Sequence, residues 1–405
     1  MSSTISSASS TKRNTFHHCV PTWSDQDLMA IIPPHWLQFE PAPKAFYVIT
    51  GLVISVIGLV AFFGNAVVVY NNHISKRGGS RSNDMVVNLA LCDMLMATIV
   101  PPMYAVSSFH SKWMFGVLGC QFHGFVGSLC GTAAIMTITA MAIDRCAVIC
   151  TPFERIRPSI TAKRSKSVLY CIWVYSFLWA VIPLLPGFPS YVPAGYLVTC
   201  SFNVLDTTTS NRAYISLMCI GAYFLPLMII SVSYGKILSV IVHRATLLRT
   251  LSTTVCSHKA NSTNERAARA QQIKSAKVSV CILLGWLLAW TPYCVVALLG
   301  VFGEKDYLTP MAYHLPSVFA KTAALYNPII YAFSNPRYRQ SVKTNLTRCW
   351  KGDNIQAHYG LVRRSTDYPS DMIPTNRRVN FRSPTGSSIE QRWNTHERYA
   401  KKFVH

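Results

Sequence analysis

In 405 residues, half of them apolar and only 13% charged, the chain carries too little polar surface for a soluble domain of its size, and its mean hydropathy is positive; such a composition points to a membrane. The formal net charge of +22 does not indicate a nucleic-acid partner, because Lys and Arg avoid the apolar segments and gather between them, as membrane topology requires. The thirteen cysteines include no CxxC pair and no Cys/His cluster with ligand spacing, so neither a disulfide scaffold nor a metal site is expected.

Taken from the N-terminus, the stretch MSSTISSASSTKRNTF lacks an apolar h-region, so the first apolar span is expected to act as the insertion signal. Residues 1–45 read as an extracellular segment. A helix needs roughly 20 apolar residues to cross the hydrocarbon core, and seven windows satisfy this, at about 46–71, 85–108, 114–143, 167–188, 213–235, 278–302 and 308–334. Only helices or closed barrels satisfy the backbone in a bilayer, and runs this long exclude barrel strands. The expected fold is an all-α integral membrane protein, a seven-transmembrane-helix bundle over residues 46–335.

Basic residues near span ends mark the cytoplasmic side. Lys76, Arg77 and Arg81 follow span one, Arg155, Arg157, Lys163, Arg164 and Lys166 follow span three, and Arg266, Arg269 and Lys274 precede span six, whereas the alternate loops carry only Lys112, Arg212 and Lys305. The N-terminus is therefore expected outside and the C-terminus inside. Residues 336–349 read as an amphipathic membrane-surface helix. Residues 350–405 are polar without helical periodicity and read as a disordered cytoplasmic tail. No internal repeat appears, against a transporter of duplicated halves. The sequons at Asn261 and Asn345 fall on the cytoplasmic side, where neither is expected to be glycosylated.

An ionisable group inside a spanning helix is costly and needs an explanation. Lys321 lies about thirteen residues into span seven, in Phe319-Ala320-Lys321-Thr322, too deep to snorkel easily to either surface. Burial disfavours the ammonium, and a neutral amine is the nucleophile that condenses with an aldehyde. From the residues alone, a lysine lining a water-filled or ion-binding cavity stands equally open.

A set of short motifs narrows the choice. Span one holds Gly64-Asn65, span two Asn88-Leu89-Ala90-Leu91-Cys92-Asp93, and span three ends in Asp144-Arg145-Cys146. Span four holds Trp173, span five Pro226 and Tyr234, span six Trp290-Thr291-Pro292-Tyr293, and span seven Asn327-Pro328-Ile329-Ile330-Tyr331. In this order and spacing, over about residues 45–350, they resemble rhodopsin-like G-protein-coupled receptors. Lys321 in its tetrapeptide, five residues ahead of Asn327-Pro328, resembles the retinal-attachment site of opsins. Tyr191-Val192-Pro193, Ala276-Lys277-Val278 and Asn335-Pro336-Arg337-Tyr338-Arg339 resemble the rhabdomeric, invertebrate-type opsins.

The resemblance implies a light-sensing receptor, not an enzyme, in the plasma membrane or a photoreceptor membrane, with retinal held as a Schiff base on Lys321. Trp290 is then expected beneath the polyene, with Tyr293, Phe319, His123 and Ala194 in the pocket; an aromatic in an apolar helix is ordinarily plain packing, a reading that Thr291-Pro292 sets aside for Trp290 and that stays equally open for Tyr293 and Phe319. The resemblance also implies a disulfide between Cys120 and Cys200 that pins the second outer loop, which the extracellular face permits. Asn65, Asp93, Asp144, Arg145, Gln272, Pro292, Asn327, Pro328 and Tyr331 are the expected activation switch, with Pro292 as its hinge. Arg145, Asn335, Pro336 and Arg337 are the expected contacts for a heterotrimeric G protein, of Gq type by the family pattern. The tail Ser and Thr near Arg363 and Arg364 suit a receptor kinase and then arrestin. Cys349 suits palmitoylation into membrane lipid, with an unmodified cysteine as the other reading.

The pattern departs from the family at the two places where opsins set a carboxylate against the cationic imine. One holds His123, three residues after Cys120, and the other holds Ala194, directly after Tyr191-Val192-Pro193. Burying an unpaired cation costs several kcal/mol, so the imine is expected neutral and the pigment ultraviolet-absorbing, unless an anion or another residue balances the charge. His123 reads either as a hydrogen-bond donor to a neutral imine or as a polar lining residue. Cys146 in place of the usual Tyr, and Gln272 in place of a Glu, imply a weaker inner lock. Two competing functions keep the fold: a retinal photoisomerase or retinoid carrier that signals weakly, and a chemoreceptor for a diffusible ligand.

Overall fold

The computed structural model describes residues 26–77, 84–150, 162–188, 190–252, 262–334 and 339. These all lie in the first of two units, Met1–Leu346; the second, Thr347–His405, falls outside the described residues. Two short helices, α1 (Gln26–Ile31) and α2 (Pro34–Leu37), precede the spans. The spans follow as α3 (Lys44–Arg77), α4 (Asp84–Phe109), α5 (Gly116–Cys150) and α6 (Ala162–Val181). Span five is α7 (Thr209–Cys219) joined through a π-helical turn, Ile220–Phe224, to α8 (Leu225–Ser252). Span six is α9 (Ser262–Phe302), and span seven comprises α10 (Pro310–Lys321) and α11 (Ala323–Ser334).

Six of the seven expected spans are single runs long and apolar enough to cross a bilayer, among the described residues. The seventh departs from expectation: it breaks at Thr322 into two helices of 12 residues, each rising only about 18 Å. Just past the break Pro328 weakens α11, since it has no N–H for the carbonyl four residues earlier, that of Ala324. The Asn65 side chain supplies the missing donor, Nδ2 to the Ala324 oxygen at 3.0 Å. Gly64 makes the approach possible, because a Cβ there would stand 2.8 Å from Pro328 Cγ. The π-turn of span five likewise sits just ahead of Pro226, whose missing N–H interrupts the ladder.

α5 runs through the middle of the bundle, packing on α4, α6, α8 and α9. Its wall toward α4 and α6 is tied by Asn88, which donates to Thr137 Oγ1 at 2.8 Å and accepts from Trp173 Nε1 at 2.9 Å. The outward faces of the spans carry exposed large apolar side chains such as Leu118, Leu288 and Phe333, which suits hydrocarbon and not water. The fold is all-α in its spans, with one addition: an antiparallel hairpin of β1 (Tyr191–Ala194) and β2 (Thr199–Phe202) in the second outer loop. Gly195 and Leu197 turn it with φ of 62° and 59°.

Candidate functional site

The hairpin forms the outer wall of a cavity enclosed by the spans. Cys200 in β2 is joined to Cys120 at the outer end of α5 by a disulfide, as the sequence comparison with opsins implied. Gln121 clamps the other strand, donating from Nε2 to the Tyr191 carbonyl at 2.8 Å and accepting the Tyr191 N–H at 3.2 Å. Tyr191 is completely buried, and its hydroxyl reaches the Ala180 carbonyl at 2.9 Å. It lies so close to α5 that a Cβ at Gly124 would be 2.3 Å from its ring. The lid is thus fastened to α5 and α6 independently of the disulfide.

Below it, Met96 and Val100 of α4, Gly127, Ser128 and Thr132 of α5, and Cys219 and Tyr223 of span five line the cavity. Trp286, Trp290, Tyr293 and Cys294 of α9 close a third side. The Trp286 and Trp290 rings stack at 6.0 Å, and Tyr293 stands edge-on to Trp290 at 6.1 Å. Trp290 lies across Gly131, whose Cβ would meet the indole at 3.1 Å. Thr291 Oγ1 donates to the Leu287 carbonyl at 2.6 Å, and Pro292 leaves the next carbonyl, that of Leu288, without its helical donor.

Lys321 enters from α10. Its Nζ donates to the Ser317 carbonyl at 3.2 Å and contacts Ser317 Oγ at 3.1 Å, and it lies 5.0 Å from the centre of the Tyr104 ring. Among the described residues no Asp or Glu lines the cavity. His123 does, 2% exposed, with Nδ1 at 3.0 Å from the Cys200 carbonyl and Nε2 buried without a hydrogen bond. Ser128 Oγ and Thr132 Oγ1 are also buried without one.

The structure brings Lys321, Trp290, Tyr293 and His123 to this cavity and leaves two expected pocket residues out of it. Phe319 is 45% exposed on the outer face, because two residues along a helix turn its side chain roughly 200° away from Lys321. Ala194 is buried in a cluster with Trp36 and Tyr313 and does not line the cavity, to which the hairpin presents Tyr191, Ser201 and Phe202. Sequence reasoning missed Tyr104, His314 and Ser317. The spacing of Ser317 and His314, four and seven residues before Lys321, is the signal that places all three on one helix face.

Nearer the inner side, Asn327 donates to Asp93 Oδ2 at 2.6 Å, and both are buried. Asn65 takes no direct part in that bond; it donates to the Ala61 and Ala324 carbonyls. Asp144 and Arg145 are half-buried near the inner end of α5, where Cys146 and Cys150 bring their sulfurs to 3.8 Å. Gln272 falls within α9 and Tyr331 within α11, their side chains outside the described set. Asn335, Pro336, Arg337, Cys349, the remainder of 336–349 apart from Arg339, and the tail also lie outside it.

A cavity of this form can take a long apolar ligand with one carbonyl end. Two glycines of α5 let aromatic rings close in, Tyr191 on Gly124 and Trp290 on Gly131, and the amine of Lys321 also lines the cavity. The family described as 7 transmembrane receptor (rhodopsin family) matches residues 64–331. The chain is 33% identical over 309 residues to "Rhodopsin, GQ-coupled" of Mizuhopecten yessoensis, covering 76% of this chain and 61% of that protein. It is 34% identical over 318 residues to a rhodopsin of Enteroctopus dofleini, covering 77% and 68%. The crystal structure of squid rhodopsin superposes with a TM-score of 0.73 at 29% identity, over 86% of this chain and 99% of that one.

Proposed function

This chain belongs to the opsins of the rhodopsin family of multi-pass membrane receptors, and from that premise we propose that it is a light-sensing receptor that binds retinal covalently through Lys321 and activates a Gq-type G protein. The observation that carries the reading is the Lys321 amine, enclosed in a cavity between an aromatic wall and a fastened lid. A buried amine is disfavoured as an ammonium, and its lone pair adds to an aldehyde carbon with loss of water. The cavity residues fit that group: an amine, no competing carboxylate, and an apolar wall with the polar atoms of Ser128 and Thr132 unsatisfied. Retinal, when bound, supplies light absorption and a change of shape.

The chain's own residues transmit that change. Trp290 is wedged between Gly131 and Trp286, so displacement of its ring loads α9 next to the weak point at Pro292. Movement there alters the packing of α9 on α5 and on α11, whose Asn327 is bonded to Asp93 of α4. Opening at the inner ends of spans three, five and six frees Arg145 for a G protein, and Asn335, Pro336 and Arg337 are further proposed contacts for it. Gq is the favoured subtype because a similar rhodopsin is named as Gq-coupled. Tail Ser and Thr residues are the proposed sites for a kinase and arrestin, and Cys349 for a lipid anchor.

The absence of Asp and Glu from the described cavity wall supports an ultraviolet-absorbing pigment with an unprotonated linkage at neutral pH. Borohydride reduction of the retinal-loaded protein, followed by peptide mapping and a light-dependent nucleotide-exchange assay with Gq, tests the whole reading. Retinal fixed on Lys321 with light-driven exchange is the expected result. Fixation without exchange favours the photoisomerase, and no fixation favours the chemoreceptor.

A further inference from the structure

Between α3, α4 and α10 lies a buried polar cluster that the signalling route does not use. Tyr104 is fully buried and His314 nearly so. The Tyr104 hydroxyl and His314 Nδ1 are 3.0 Å apart, and His314 Nε2 is 3.3 Å from Thr50 Oγ1. A neutral imidazole donates from one nitrogen and accepts at the other, and either hydroxyl can take either role, so both contacts are satisfied together. Phe46 and Tyr196 pack on the same imidazole with centroids at 5.0 and 5.6 Å. The phenol ring is therefore held in place from its far end, and the Lys321 nitrogen lies over its face, 5.0 Å from the centre.

We propose that the Tyr104 ring is the cation partner of the Lys321 nitrogen, raising its affinity for a proton in a cavity that offers no carboxylate among the described residues, with His314 and Thr50 as positioning residues. This rests on the reading that Lys321 carries retinal. The negative face of an aromatic ring attracts a cation within about 6 Å of its centre, most strongly where water is excluded. Ser317 adds its carbonyl and hydroxyl oxygens on the same helix. The other titratable side chains that face this region, among the described residues, are His314 and Tyr313 on α10, Tyr47 on α3, His123 on α5, Tyr191 and Tyr196 on the hairpin and Tyr293 on α9. None of them is an anion at neutral pH, and both histidines, when charged, oppose a second cation. The ring's contribution is smaller than the penalty for burying an unpaired cation. Tyr104 thus sets how much acid is needed to protonate the linkage and leaves the neutral form dominant at neutral pH.

The test uses the full chain loaded with retinal, titrated with acid while the ultraviolet band converts to a visible one. Tyr104→Phe keeps the ring and serves as reference. Replacing that Phe by its mono-, di- and trifluorinated analogues drains the ring face without changing the shape, so the fold is preserved. The midpoint is expected to fall stepwise toward lower pH, by about one unit over the series, a tenfold loss of proton affinity. Tyr104→Leu is expected to fall at least as far. An unchanged midpoint across the fluorinated series, with pigment forming normally, overturns the proposal and leaves the Lys321 reading standing. Failure of the parent chain to take up retinal overturns that reading instead.

Discussion

The side chain of Asn65 in α3 donates to the carbonyl of Ala324 in α11 at 3.0 Å, and that oxygen is the one that Pro328 leaves without a helical partner. The Gly64-Asn65 and Asn327-Pro328 motifs are thus two halves of one device: glycine admits the proline ring, and asparagine repairs the helix the proline breaks. Asn65→Ala strands a buried carbonyl, at a cost of about 1–3 kcal/mol. The measurement is the midpoint of thermal inactivation in detergent, which is expected to fall; an unchanged midpoint means that the carbonyl finds another donor.

Gly124 admits the ring of Tyr191, which a Cβ would approach to 2.3 Å. Both the ring and the helix backbone are held, so Gly124→Ala must displace the hairpin, with an overpacking cost of about 1–3 kcal/mol. Lower retinal uptake and faster hydroxylamine attack on the pigment are expected. Wild-type rates in both assays would show that the lid shifts without opening the cavity.

Cys120 and Cys200 fasten the same hairpin across a sequence separation of 80 residues. Removing the bond by Cys120→Ser is expected to lower stability by about 2–5 kcal/mol, read as loss of folded receptor at the cell surface. Because Gln121 and Tyr191 hold β1 separately, a fraction of the double variant with Cys200→Ser should still bind retinal at low temperature. Complete loss under those conditions would make the disulfide the sole fastening.

His123 occupies a buried position on the cavity wall with Nε2 unbonded. Placing a carboxylate there by His123→Glu supplies a partner for a protonated linkage. The absorption band is expected to move from the ultraviolet into the visible at neutral pH. A parent protein that already absorbs in the visible, unchanged by the substitution, would contradict the neutral ground state.

How far the sequence reaches is visible in span seven. Its length and its Asn-Pro motif are legible, and Lys321 is recognisable as a buried amine. The helix break at Thr322 is not, because neither Gly nor Pro stands at that point to mark it. Phe319 shows the second limit: in a membrane both the core face and the lipid face are apolar, so hydrophobicity does not reveal which way a ring points. Ala194 shows the third, since its packing against Trp36 and Tyr313 joins residues far apart in sequence that no local pattern brings together. Tyr104 and His314 lie in spans two and seven, and no local motif joins them. Cys120 and Cys200, 80 residues apart, are paired in advance only by the resemblance to opsins, which also singles out Trp290 and Asp93 through the short motifs around them.

The most direct measurement of the central claim is the absorption spectrum of Lys321→Met, a neutral side chain of similar reach, after incubation with retinal and no added amine. The account predicts no bound pigment, no adduct after borohydride and no light-driven nucleotide exchange, all in a receptor that still reaches the membrane. A Lys321→Met protein that forms pigment and responds to light would contradict it.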